Sequence, residues 1–473
     1  MRETIETSRA MAGQGRSSRR RAPEILEPSG SPHGATGMPP TVLGVPREDY
    51  RDFLDHVVSR YERTLRRSWP RMAMRAAVRG AERVDDARFV ALAWDGPFAK
   101  MLTRTIDDEA ARVFGDRVPQ RALLCDVRAM RVVRPHALSG CDVRGGLALF
   151  EDRGDAPPRP IAIAVDGSDV VEPDDPRWGL AKTKILSALA SCLVLGVHSR
   201  LHFPFDVVNA VTRTHLPPRH RLRELLEPHC FVHLSLDYGV LYSDRSVAHN
   251  DQRELYTPFA ASKEGQLALI SCAWDGLPGS AVWARFVYPS RPPHVIGPFG
   301  RFLDACRLPI ASYVARALSD LDPDDVFVAG WADRLAELLP GFPRAEACRD
   351  PEVLAAAVTA FVAGVSLLHS ADHYVYSRIS VEQVPLRVRV PLPERGQPSS
   401  RAPICTRGDL FRQWMAREMF FEVYPLTRLT DLEHTDPELR AGARRLRVEL
   451  ERAVGGFAMP HVPLSMVAAS LQY

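Results

Sequence analysis

Six of the chain's 15 histidines fall in three pairs spaced four apart: His198 and His202, His229 and His233, His369 and His373. Chance placement of 15 histidines in 473 residues gives only about half such a pair. Residues four apart stand one above the other on a helix, so each pair has three possible uses. It can share a metal ion, enter a hydrogen-bond network, or sit as ordinary imidazoles at a helix end. Context favours the first use for two of the pairs. "ILSALASCLVLGV" (185–197) runs 13 uncharged residues into His198, and "LAAAVTAFVAGVSLL" (354–368) runs 15 into His369. Helices apolar on every face belong in the middle of a protein, where an imidazole is costly unless its nitrogens find partners. Two such helices would supply four nitrogen donors. Structural zinc favours thiolates, whereas imidazole-rich sites with room for further ligands suit iron, and less well manganese, in oxygen chemistry.

The elements that must position these donors read as one large, mainly α domain over 45–473. A tail at 1–44, rich in Ser, Gly, Pro and Arg, is expected to be disordered. Helical periodicity begins near "REDYRDFLDHVVSRYERTLRR" (47–67). "LALF" (147–150) and "PIAIAV" (160–165) flank a polar turn and predict a β-hairpin within a small β region near 145–166. From Trp178 onward the pattern is helical, broken by Pro-rich loops at 287–299 and 391–403. Asp206, four residues after His202, is expected to hold a ligand imidazole in its tautomer. Asp372 is expected to face away from the pair that flanks it, and His233 to be incidental. Pro204 predicts a kink just after the first pair.

Composition narrows the function classes. Net charge is +3, and the first 40 residues carry six Arg against four Glu, so the remainder is nearly neutral. That argues against a nucleic-acid protein, whose phosphate contacts need a basic face. Eight scattered cysteines without a C-x-x-C read as reduced core thiols, and no apolar leader opens the chain, so a cytoplasmic location is expected. Counted to the first histidine, both uncharged runs fall short of the roughly 20 residues of a membrane span, so buried core helices are expected and no transmembrane segment.

The order of several motifs resembles the lipoxygenase core. "WGLAK" (178–182), His198 and His202, then "HLPPRHRLRELLEPH" (215–229) are similar to that family's W-x-x-A-K, ligand His pair and L-x-x-x-H-P-x-x-x-L-L-x-P-H. "LCDVRAMRVV" (124–133), "GGLALFEDRGDAPPRPIAIAVDG" (145–167) and "GWADRLAELLPGFP" (330–343) follow the same order. "HSADHYVYS" (369–377) sits where the family places its second ligand pair. The resemblance covers roughly 85–470 and implies a non-haem iron centre held by His198, His202, His369 and His373. His220 and His229 match positions that are not ligands. The family's N-terminal lipid-binding β-barrel has no counterpart in the sequence.

The departures from the family pattern are specific. Its first pair is H-x4-H, which goes with a π-bulge; here one residue fewer separates His198 from His202. Its chain ends on a carboxylate that ligates iron, whereas "VPLSMVA" (462–468) is followed by five more residues, leaving Tyr473 or water to take that place. Tyr376 stands where the family has a Gln between metal and substrate. Gly239 and Val240 fall at the position that sets regiochemistry, with Asp244 and Arg245 replacing apolar residues beyond it. The resemblance implies an oxidoreductase, a dioxygenase of lipid metabolism: hydrogen abstraction from a pentadiene carbon, then O2 addition, gives a hydroperoxide of a polyunsaturated fatty acid or similar lipid. A diverged iron-dependent oxygenase of a non-lipid small molecule and a non-catalytic lipid- or metal-binding relative are the alternatives. The sequence leaves the oligomeric state open.

Overall fold

The computed structural model describes residues 24–26, 41–242, 257–275, 287–288, 295–397, 402–421, 425–457 and 461–471. A helix of 38 residues, Trp178–His215, runs through its middle. Its first section, α1 (Trp178–Ser191), is pinned at the start by one carboxylate: Asp86 Oδ1 accepts from Trp178 Nε1 at 2.7 Å and from Lys182 Nζ at 2.6 Å. Packing and a helix-end charge are thus what these two residues contribute. Its second section, α2 (Ser199–His215), continues through Pro204. Between them lies a π-helical turn, Cys192–Val197, closed by the His198 N–H donating to the Leu193 carbonyl at 2.8 Å. The π turn is therefore retained despite the shortened spacing, but it sits one turn earlier. His198 follows at the junction in helical backbone (φ −67°, ψ −36°) and His202 in the first turn of α2, which is why i,i+4 suffices to align them.

The partner helix repeats this design. After Asp237-bearing α3 (His233–Tyr242), α4 (Gly297–Leu318) and α5 (Val326–Leu338), α6 (Pro351–Ala363) starts with Pro351 in its first turn and Asp350 capping the Glu352 N–H at 2.9 Å. A second π turn, Gly364–Leu368, then delivers α7 (His369–Ser377). Gly364 lets the two long helices approach: a Cβ there would lie 2.3 Å from Cε2 of Phe205 on α2.

The predicted hairpin is present and belongs to a five-stranded antiparallel sheet in the order β1 (Leu102–Thr103), β2 (Ala122–Asp126), β3 (Gly146–Glu151), β4 (Arg159–Val165), β5 (Val170–Val171). In the N-terminal segment, Glu24–Leu26 pairs antiparallel with Thr41–Gly44. One face of the sheet, with Ala148, Phe150 and Ile163, shares a core with Leu180, Ile185 and Leu189 of α1. A second core joins Phe205 and Val208 of α2 to Phe302 and Ile310 of α4 and Phe361 of α6. The long central helix thus passes from one core into the other, and its histidines stand at the junction.

Both long helices, Trp178–His215 and Pro351–Ser377 at 27 residues, exceed the uncharged runs and are long and apolar enough to cross a bilayer. Their surroundings explain the composition differently. Within the protein, 89% and 78% of their most apolar stretches are buried. Truncating a fully buried member such as Leu189 to Ala would cost about 2–5 kcal/mol.

Candidate metal centre

The π turns bring both His pairs to one point. His202 Nε2 lies 2.9 Å from His198 Nε2 and 3.0 Å from His369 Nε2, and His198 Nε2 lies 3.1 Å from His373 Nε2. All four rings are buried; His369 is wholly inaccessible. The outer nitrogens of the first pair fix its tautomers. His198 Nδ1–H donates to Asp372 Oδ2 at 3.1 Å, and His202 Nδ1–H donates to Asp237 Oδ1 at 2.6 Å. With its proton on Nδ1, a neutral imidazole presents a bare lone pair at Nε2. Two lone pairs 2.9 Å apart repel, and a cation between them turns the repulsion into ligation. Burial keeps three of the rings neutral: it draws His198 down to about 4, and burial together with the neighbouring imidazoles holds His369 and His373 well below the usual histidine range. The donor set therefore fits a borderline metal, iron included.

The supporting residues are partly those expected and partly not. Asp372 does not face away. It bridges His198 to Lys100, whose Nζ lies 2.5 Å from Asp372 Oδ1. Burial would raise this carboxyl, but Lys100 and His198 outweigh it and hold Asp372 below its ordinary value. Asp206 is not the partner of His202; Asp237 is. Asp206 stands one carboxylate further out, with Oδ1 3.2 Å from His233 Nε2. His233 is not incidental: fully buried, its Nε2 is also 3.2 Å from Asp237 Oδ2 and 3.3 Å from the His202 carbonyl oxygen. Burial raises Asp237, yet His202 and His233 overcome that and hold it low, while burial and Asp237 push Asp206 well up. Lys100, one of only four lysines in the chain, and Asp237, an acid four residues after His233 in an apolar stretch, are the sequence signals for these supports. The His373 ring donates a hydrogen bond to the Phe420 backbone carbonyl.

His220 caps the Arg221–Leu226 helix and contacts Asp325, and His229 Nδ1–H donates to the Ala469 carbonyl at 2.6 Å, so both serve structure. Tyr376 is buried against Phe421, ring centroids 4.4 Å apart, and Phe421 in turn packs on His373 at 5.2 Å. Tyr376 thus meets the His373 side of the centre through Phe421. The C-terminal segment runs beside α7: the Ala468 N–H donates to Ser370 Oγ at 3.0 Å, Ser470 Oγ donates to the Phe231 carbonyl, and Leu471 is fully buried. Tyr473, Asp244 and Arg245 lie outside the described residues, as do the side chains of Gly239 and Val240, whose backbone is in the last turns of α3.

No family model and no curated protein matches this chain. Solved structures do. A crystal structure of "Delta413-417:GS LOX" superposes with a TM-score of 0.74 at 13% identity, over 99% of this chain and 81% of that one. The coral 8R-lipoxygenase gives 0.70 at 13%, over 99% and 81%, and a calcium-dependent 11R-lipoxygenase gives 0.67 at 14%, over 99% and 80%. The same Delta413-417:GS LOX crystallised with arachidonate gives 0.71 at 13%. The fold is that of a lipoxygenase catalytic domain, with a buried four-histidine cluster able to hold a metal ion at its centre.

Proposed function

We propose that the protein is a non-haem iron dioxygenase that forms a hydroperoxide from a polyunsaturated fatty acid or similar lipid. The observation that carries this reading is the convergence of four buried Nε2 donors, 2.9–3.1 Å from their neighbours, at the centre of a lipoxygenase fold. Iron bound there would supply the one-electron chemistry that activates a substrate C–H bond toward O2. The chain's own residues do the rest. His198, His202, His369 and His373 would hold the metal; Asp372 and Asp237 keep two of the rings in the ligating tautomer and orient them. Phe421 and Tyr376 keep water from the His373 side. The arachidonate complex of a structural neighbour supports a lipid substrate. The terminal carboxylate of Tyr473 would be a further ligand, a role supported by the buried course of the tail through Leu471 beside α7.

The test is oxygen uptake by iron-loaded protein on addition of arachidonate, followed together with conjugated-diene absorbance. Uptake matched by diene formation is expected. Iron binding without uptake on any polyunsaturated acid would overturn the lipid reading. Extending the chain by one glycine after Tyr473 displaces the carboxylate and is expected to weaken iron binding; unchanged binding would remove Tyr473 from the ligand set.

A further inference from the structure

A second cluster lies directly behind His202. Asp206, His233 and Asp237 are each at most 1% exposed, and one ligand atom from each lies within 4.8 Å of the others. Three oxygens converge on a single nitrogen: Asp206 Oδ1 at 3.2 Å, Asp237 Oδ2 at 3.2 Å and the His202 carbonyl at 3.3 Å all face His233 Nε2. One N–H cannot satisfy three acceptors, two of them carboxylate. The shortfall shows in the hydrogen bonding: both oxygens of the buried Asp206 carboxyl and Asp237 Oδ2 lack a well-aligned N–H donor, and the two carboxyls are left to lean on each other. Two buried carboxyls sharing a single imidazole are otherwise rare, because desolvation is not repaid. Lys100 compensates Asp372 on the other side of the centre, but no lysine or arginine contact is found at Asp206 or Asp237 among the described residues.

We propose that Asp206, Asp237 and His233 form a second divalent-cation site, joined to the four-histidine centre through Asp237. A cation there meets Asp206 Oδ1, Asp237 Oδ2, His233 Nε2 and the His202 carbonyl, with the His233 ring proton moving to Nδ1. Asp237 Oδ1 keeps its hydrogen bond from His202, so one carboxylate serves both sites. The oxygen-rich donors suit Mn2+ or a similar hard-to-borderline ion better than the all-nitrogen centre does.

The experiment separates the two sites by working in the His369→Ala background, which removes a donor from the first alone. Metal-stripped protein is dialysed against Mn2+ and bound metal per chain is counted by mass spectrometry. The His369→Ala chain is expected to hold one Mn2+, and the His369→Ala/Asp206→Asn and His369→Ala/His233→Gln chains none. No Mn2+ in the His369→Ala chain, or equal Mn2+ in all three, overturns the proposal. Wild type loaded with Fe2+ and Mn2+ together gives a reading independent of any variant's folding: two metals per chain are expected, and one alone overturns it. Failure of the iron-centre reading looks different, as iron that is indifferent to His369.

Discussion

Two carboxylates support two neighbouring histidines of one helix, yet the environments differ. Asp372 stands between His198 and Lys100, so its charge is paired with the Lys100 Nζ 2.5 Å away. Asp237 stands between His202 and His233, and beyond them is a second carboxyl, Asp206. The first support is a closed charge pair; the second depends on imidazoles and on whatever lies between two carboxyls. The difference teaches that the two rings are held to different tolerances. His198 has a partner whose ionisation is fixed, while the partner of His202 answers to its surroundings.

The comparison breaks most sharply at the closed pair. Asp372→Asn leaves the Lys100 ammonium buried and uncompensated, at a cost of about 3–5 kcal/mol. Chemical denaturation should show that loss, and adding Lys100→Met should recover a large part of it. If the double variant is no more stable than Asp372→Asn alone, Lys100 and Asp372 are not coupled. A buried histidine outside both supports provides the acid control. Burial draws His229 from 6.5 to about 4, so below 6.5 the unfolded chain binds a proton that the folded chain refuses. Its contribution is complete above pH 6.5 and is lost as the pH falls through 4, about 3 kcal/mol in all. His229→Gln should flatten the stability profile across that window; an unchanged slope would assign the acid sensitivity elsewhere. Gly364→Ala comes next. Its methyl meets the Phe205 ring and should destabilise by about 1–3 kcal/mol, with a lower melting temperature. The smallest effect is expected at the open support: Asp237→Asn keeps an acceptor for His202 but removes the charge, weakening metal affinity about tenfold. Isothermal titration would measure it, and a loss as large as that of an outright ligand deletion would show the two supports to be equivalent in kind.

How much of this was legible in the sequence follows from range. The long helices, the hairpin and the two ligand pairs declare themselves through local pattern: uncharged runs, alternating residues and i,i+4 spacing. The supports do not, because they are set by packing between elements far apart in the chain. Asp206 was the natural choice for His202 on spacing alone, yet α3 crosses α2 so that Asp237, 35 residues away, reaches the ring first. Spacing along its own helix turns Asp372 away from the site, yet it reaches across to His198 on the other helix, 174 residues distant. The missing residue between His198 and His202 suggested a lost π turn, whereas the backbone keeps that turn upstream, where no side chain marks it.

Iron content tests the central claim most directly. Wild type and His369→Ala are purified in parallel and their iron per chain compared. Iron near one equivalent in wild type, lost in the variant, is the predicted result. Wild type without iron after Fe2+ loading, or iron equally retained in His369→Ala, would contradict a four-histidine iron centre in this fold.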